Sequence, residues 1–168
     1  MGVMAPRHSE ETLRVMAEQH ITYEIERLVL CLPVQSQVSL VAHPIITQSL
    51  LEAFLVHLRS LADFVVAPRR PRHAKDVAAE DYYDGDWPQQ PRFLFGNDVE
   101  EHQTCMDELH RRLAHISVQR ADSVDFVWRH AVQEWLPALL AALGQFIAGL
   151  PPQRRAWFST AEGLINQR

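Results

Sequence analysis

Lysine is almost absent from this chain: Lys75 is the only one, and fifteen of the sixteen basic side chains are arginine. Cysteine is scarce too, with only Cys31 and Cys105. Two thiols make no disulfide framework, and both fall inside helical patterns, so free, buried thiols are expected. The opening segment MGVMAPRHSEE has no apolar core of the secretory kind. A continuous apolar run of about 18 residues, enough to cross a bilayer, is missing as well. The longest apolar stretch, Leu136 to Leu150, is interrupted by Pro137, Gly144, Gln145 and Gly149. These absences give the expectation of a cytoplasmic protein with no membrane contact. The net charge of −5 excludes bulk attraction to nucleic acid or anionic lipid and leaves only a local patch for such contacts.

What is present is an ordinary globular composition. Of 168 residues, 47% are hydrophobic and 22% charged, which suits one domain, residues 1–168, with a sizeable core. Ser9 is a good N-cap, with Glu10 and Glu11 at the positive end of the helix it would start. Leu13, Met16, Ile21, Ile25, Leu28 and Leu32 then recur at helical spacing, and Pro33 is expected to stop that helix. Val34 to His43 alternates weakly and reads as a connector. Pro44 suits a first helical turn, and Leu51, Phe54, Leu55, Leu58, Leu61, Ala62 and Val65 form a wide apolar face closed by Pro68.

Asp76 is expected to cap a short helix through Ala79 and Tyr82. Asp84 to Asn97 reads as a long loop pinned by Trp87, Phe93 and Phe95. Asn97 or Asp98 should cap a third long helix with Met106, Leu109, Leu113 and Ile116 on its seam. Ser123 should cap a fourth, with Val124, Val127, Trp128 and Ala131 inward, kinked or split at Pro137. Leu139, Leu140, Leu143, Phe146, Ile147 and Leu150 continue that face to Gly149 and Pro151. The tail suits a short last helix docked by Trp157 and Phe158. The expected fold class is all-α, a bundle of four long helices with one or two short ones.

The most suggestive chemical segment is Glu108 to His115. Arg111 and His115 stand one helical turn apart and can share a face. A neutral imidazole could take the proton of a ribose 2′-hydroxyl, and a guanidinium could hold the phosphate and its developing charge. The bland alternative is a solvated helix end, where basic groups are favoured anyway.

Two segments carry a family resemblance. SLLEAFLVHLRSLADF (49–64) and ELHRRLAHIS (108–117) look like an uncharacterised group of bacterial helical proteins. The second is also similar to the basic-x-x-Ala-His element of HEPN-like proteins of the abortive-infection type. The Arg111–His115 spacing is shorter than in the usual HEPN motif. The resemblance implies a helical bundle, often dimeric, that is either a metal-independent ribonuclease or a non-enzymatic remnant acting through protein or RNA contacts.

Other constellations are weaker. His57, His102, His110, His115 and His130 are spread over three expected helices, similar in general plan to DinB-type metal bundles, and His102 with Cys105 at i, i+3 could hold zinc. No HExxH, CxxC or Glu-x-x-His element supports a metal. Glu80 to Asp86 lacks the alternating spacing of a calcium loop and reads as a solvated turn. Arg69, Arg70 and Arg72 form a basic cluster among prolines that reads as a solvated connector. Trp87, Trp128, Trp135 and Trp157 read as core or loop anchors. The expectation is therefore a HEPN-like interaction domain without cofactor, with a homodimer or a protein or RNA partner. The alternatives are a ribonuclease using Arg111 and His115, and a metal-dependent bundle enzyme.

Overall fold

A computed structural model of the chain describes residues 7–38, 44–67, 73, 75–84, 87, 89–114 and 131–167. Among the described residues every element is helical and no strand occurs. We number the α-helices α1 (Glu10–Val15), α2 (Thr22–Val38), α3 (Pro44–Val65), α4 (Val99–Ala114), α5 (Leu136–Ala148), α6 (Pro152–Ala156) and α7 (Ser159–Asn166). A π-helical segment, Met16–Ile21, joins α1 to α2, and another, Ala131–Trp135, leads into α5. A 3₁₀ turn spans Ala79–Tyr82.

The first helix starts where Ser9 Oγ accepts the Thr12 N–H at 3.1 Å. Its buried seam is Leu13, Ala17, Ile21, Ile25 and Leu28, with Met16 only half-buried. Four-residue steps overshoot an α-helical turn by about 40° each, so three steps would drift by about 120°. The wider π turn takes up that drift and keeps Leu13 and Ile25 facing the core. Thr22 secures it: its backbone N–H and its hydroxyl both donate to the Ala17 carbonyl, the hydroxyl at 2.8 Å.

Pro33 does not stop this helix; α2 continues to Val38. Proline forfeits one hydrogen bond within a helix, and a helix already packed along its length can absorb that loss as a bend. Val34 to Val38 are thus helical rather than connecting, while residues 39–43 lie outside the described residues.

α3 is the central helix. It packs on α2, α4, α5 and the 3₁₀ turn, and its pairing with α2 is the most extensive. All seven apolar residues expected on its inner face, Leu51 to Val65, are buried. α7 packs against both α2 and α5. The buried apolar residues form one contiguous cluster.

Phe146 of α5 is the hub of that cluster. Its ring meets Phe64, Tyr82, Tyr83, Trp87 and Phe158 at centroid distances of 5.3 to 6.0 Å. Trp87 and Phe95 do anchor the 84–97 loop, but Phe93 is 40% exposed and anchors nothing. Asp76 does not cap the 3₁₀ turn. That role falls to Asp81, whose carboxylate accepts the Ala78 N–H at 2.8 Å, while Asp76 accepts from His73.

Asp98 caps α4 by accepting the N–H groups of Glu100 and Glu101, both at 2.8 Å. Met106 and Leu109 are buried on α4 and Leu113 is half-buried. Ser123, Val124, Val127, Trp128 and Ile116 lie outside the described residues. Pro137 sits in the first turn of α5, directly after the π segment, so the helix changes register at the proline instead of breaking. As a result Ala131–Ala148 is one helical stretch that, by length and composition alone, is long and apolar enough to cross a membrane. Its Leu139, Leu143, Phe146 and Ile147 are built into the core. The tail forms two short helices, with Phe158 buried and Trp157 half-buried.

Candidate functional site

Arg111 lies in the last turn of α4 with its side chain exposed. Its Nε donates to the Asp107 carbonyl at 3.3 Å and its guanidinium pairs with Glu108 at 3.5 Å. His115 lies outside the described residues, as do His130 and the cluster Arg69, Arg70 and Arg72. His110, beside Arg111, is exposed. Arg111 is thus engaged by acceptors of its own helix, at a helix end where positive charge is favoured.

The other histidines sit in different settings. His102 of α4 is buried, and its Nδ1 accepts the Phe95 N–H at 3.4 Å. Burial pushes its pKa below the ordinary histidine value. Cys105, one turn on, is half-buried, and burial pushes its thiol up; Cys31 behaves alike. Both thiols are free, but neither is fully buried as expected from the helical pattern. Among the described residues no three His, Cys, Asp or Glu side chains converge as metal ligands would.

His57 of α3 meets Glu24 of α2 at 2.8 Å through Nδ1. A carboxylate there orients the imidazole across the helix seam, as partners of functional histidines do. The Tyr23 ring stands edge-on to His57 at 6.0 Å, and the Arg27 guanidinium lies 5.0 Å over the Tyr23 ring. Tyr23, Glu24 and Arg27 were not legible as a group with His57, because a pairing across two helices leaves no local spacing.

Glu80 and Asp81 form an ion-pair hub where a solvated turn was expected, whereas Asp84 is largely exposed and Gly85 and Asp86 lie outside the described residues. Asp81, with a side chain only 7% exposed, binds Arg7 at 2.7 Å, and Glu80 binds it at 3.3 Å. His8 Nε2 donates to the Asp76 carbonyl oxygen at 3.0 Å, since a carbonyl oxygen can only accept. Arg154 donates to the Tyr82 carbonyl at 2.8 Å and pairs with Asp84 at 2.9 Å and with Glu10. These bonds tie the start of α1 and α6 to the 3₁₀ turn.

The described residues expose five large apolar side chains: Tyr23 and Leu30 on α2, Ile46 and Val56 on α3, and Phe93 on the loop. Tyr23 and Leu30, two helical turns apart, share one side of α2. The chain matches no protein-family model, no curated protein and no solved structure.

Proposed function

We propose that this chain is a non-enzymatic, HEPN-like helical interaction domain whose contact face is formed by α2 and α3. The observation that carries this reading is the placement of exposed apolar side chains. Four of the five among the described residues stand on these two neighbouring helices. Tyr23 and Leu30 share one side of α2, and exposed apolar side chains that lie together mark contact surfaces. The net charge of −5 makes a protein partner, including a second copy of the chain, a better fit than RNA. The likeness of residues 108–117 to the basic-x-x-Ala-His element of HEPN-like proteins supports the same reading.

The test is capture of partners from the native host by the full chain, alongside its mass in solution. Leu30→Glu and Val56→Glu are expected to abolish the captured partner or the dimer while the helical circular dichroism stays unchanged. Retention of every partner by both variants would remove the proposed face.

The exposed guanidinium of Arg111 favours one second reading, a metal-independent ribonuclease with His115 as base and Arg111 as phosphate clamp. There RNA cleavage should collapse in His115→Ala with the fold intact, and unchanged cleavage would end that reading.

A further inference from the structure

The turn that carries Phe95 is held to α4 by two acceptors. One is the Glu101 carboxylate, which takes the backbone and side-chain N–H groups of Asn97 at 2.7 and 3.0 Å. The other is Nδ1 of His102, which takes the Phe95 N–H. Phe95 itself is fully buried. Its ring packs 5.1 Å from the His102 ring and stacks on Trp135 at 5.0 Å with 25° between planes. His102 thus holds one end of a stack that runs from α4 through the loop to the π segment before α5.

The direction of the hydrogen bond is fixed, because a backbone N–H can only donate. Nδ1 must therefore carry a lone pair, and the neutral ring bears its proton on Nε2. The ionisable groups within about a turn of His102 on α4 are Asp98, Glu100, Glu101 and Cys105; Arg92 lies on the loop, Glu134 on the π segment beside Trp135, and α3, which packs on α4, carries Glu52, His57, Arg59 and Asp63. Among the described residues none of them hydrogen-bonds or ion-pairs with the ring. Glu101 is spent on Asn97, and the backbone N–H of His102 goes to the Asp98 carbonyl. A second proton on this ring, which is 7% exposed, would meet the Phe95 N–H, a donor, at Nδ1.

We propose that His102 is an acid-released latch on the Phe95 turn. Taking up a solvent proton at Nδ1 turns the acceptor into a donor facing the Phe95 N–H. The bond breaks, and the charge is left against the Phe95 ring in an apolar setting. With the Glu101 carboxylate left to hold Asn97, the turn loosens from α4 at Phe95 and bares its amide. Burial of the ring, which disfavours its charged form, agrees with this order of events. The latch is separate from the α2–α3 contact face and stands or falls without it.

The experiment follows the Phe95 amide in the full chain by NMR hydrogen exchange, corrected for the intrinsic rate, as pH is lowered from about 8 until the His102 ring protonates. Ring nitrogen shifts in the same samples report the proton. Protection at Phe95 is expected to fall several-fold in step with the ring, while amides in α3 and α5 keep theirs. His102→Asn, which can accept but does not titrate, should abolish the pH dependence. A ring that protonates with Phe95 protection unchanged, or one that stays neutral until the helices themselves unfold, overturns the latch. So does the same fall in a folded His102→Asn. If that variant does not fold, the wild-type titration decides alone.

Discussion

The hydroxyl of Tyr83 donates to the carbonyl of Phe146 at 2.7 Å and closes the last turn of α5 from outside the helix. It can approach because the helix ends on Gly149, where an added Cβ would stand 2.7 Å from the same hydroxyl oxygen. Gly149 has an ordinary φ of −82°, so backbone freedom is not the reason for glycine there. Gly149→Ala is expected to cost about 1–3 kcal/mol through crowding. Tyr83→Phe should cost about 1–2 kcal/mol through a lost bond at a helix-end carbonyl. The two effects should not add, because the phenylalanine removes the atom the methyl would strike. Urea midpoints of both single variants and the double variant measure this coupling, and strict additivity would show that the hydroxyl and Gly149 are independent.

Alkaline pH should loosen the same contact. Burial pushes the Tyr83 hydroxyl up to about 12 and raises Tyr82 as well. Both pKa values lie above the unfolded value of about 10. The protonated phenols therefore contribute stability that is complete below about pH 10 and is lost as pH rises through the folded values. Denaturation midpoints should fall between about pH 10 and about pH 12, and Tyr83→Phe, though weaker at neutral pH, should show a shallower decline.

The π turn at Met16–Ile21 depends on Thr22. Thr22→Val keeps the shape but removes the hydroxyl that reaches the Ala17 carbonyl at 2.8 Å, with an expected loss of about 1–2 kcal/mol. Deleting Glu18 should be tolerated better, because it removes the extra residue of the π turn: regular α-helical winding then leaves Leu13 within about 20° of Ile25, with both still facing the core. Thermal melts compare the two variants, and a Glu18 deletion that unfolds the protein would contradict the assigned turn.

Two neighbouring arginines should behave differently. The Arg154 side chain is 14% exposed and donates to the Tyr82 carbonyl, whereas Arg155 is half exposed and, among the described residues, pairs with Glu162. Its carboxylate partners Glu10 and Asp84 are largely exposed, so screening by water leaves those pairs a small share. The carbonyl that would lose its donor carries the effect. Arg154→Met is expected to lose about 1–2 kcal/mol, and Arg155→Met to melt close to the wild type.

Much of the helical plan was legible because it rests on local chemistry. Ser9 and Asp98 cap the helices they were read to cap, and α3 buries the face that its spacing outlined. The misreadings arose where neighbours override local preference. Pro33 lies inside a helix that continues to Val38, and the π turn at Met16–Ile21 is set by core alignment and a threonine back-bond. Asp76 lost the cap to Asp81, which also answers Arg7 from across the fold. The Glu24–His57 pair was invisible because its partners are far apart in the chain and meet only when α2 packs on α3. Arg111 was found exposed at the end of α4, while its proposed partner His115 lies outside the described residues.

The rings around Phe146 come from positions as early as Phe64 and as late as Phe158. During synthesis the chain therefore emerges with most of its aromatic nucleus waiting for its last wall. Helices can form early, but the closing contacts join distant stretches and must come late. Until Phe158 has left the ribosome, the half-built cluster is open to water and to neighbouring chains, which makes a stop just before Phe158 damaging to packing as far back as Phe64.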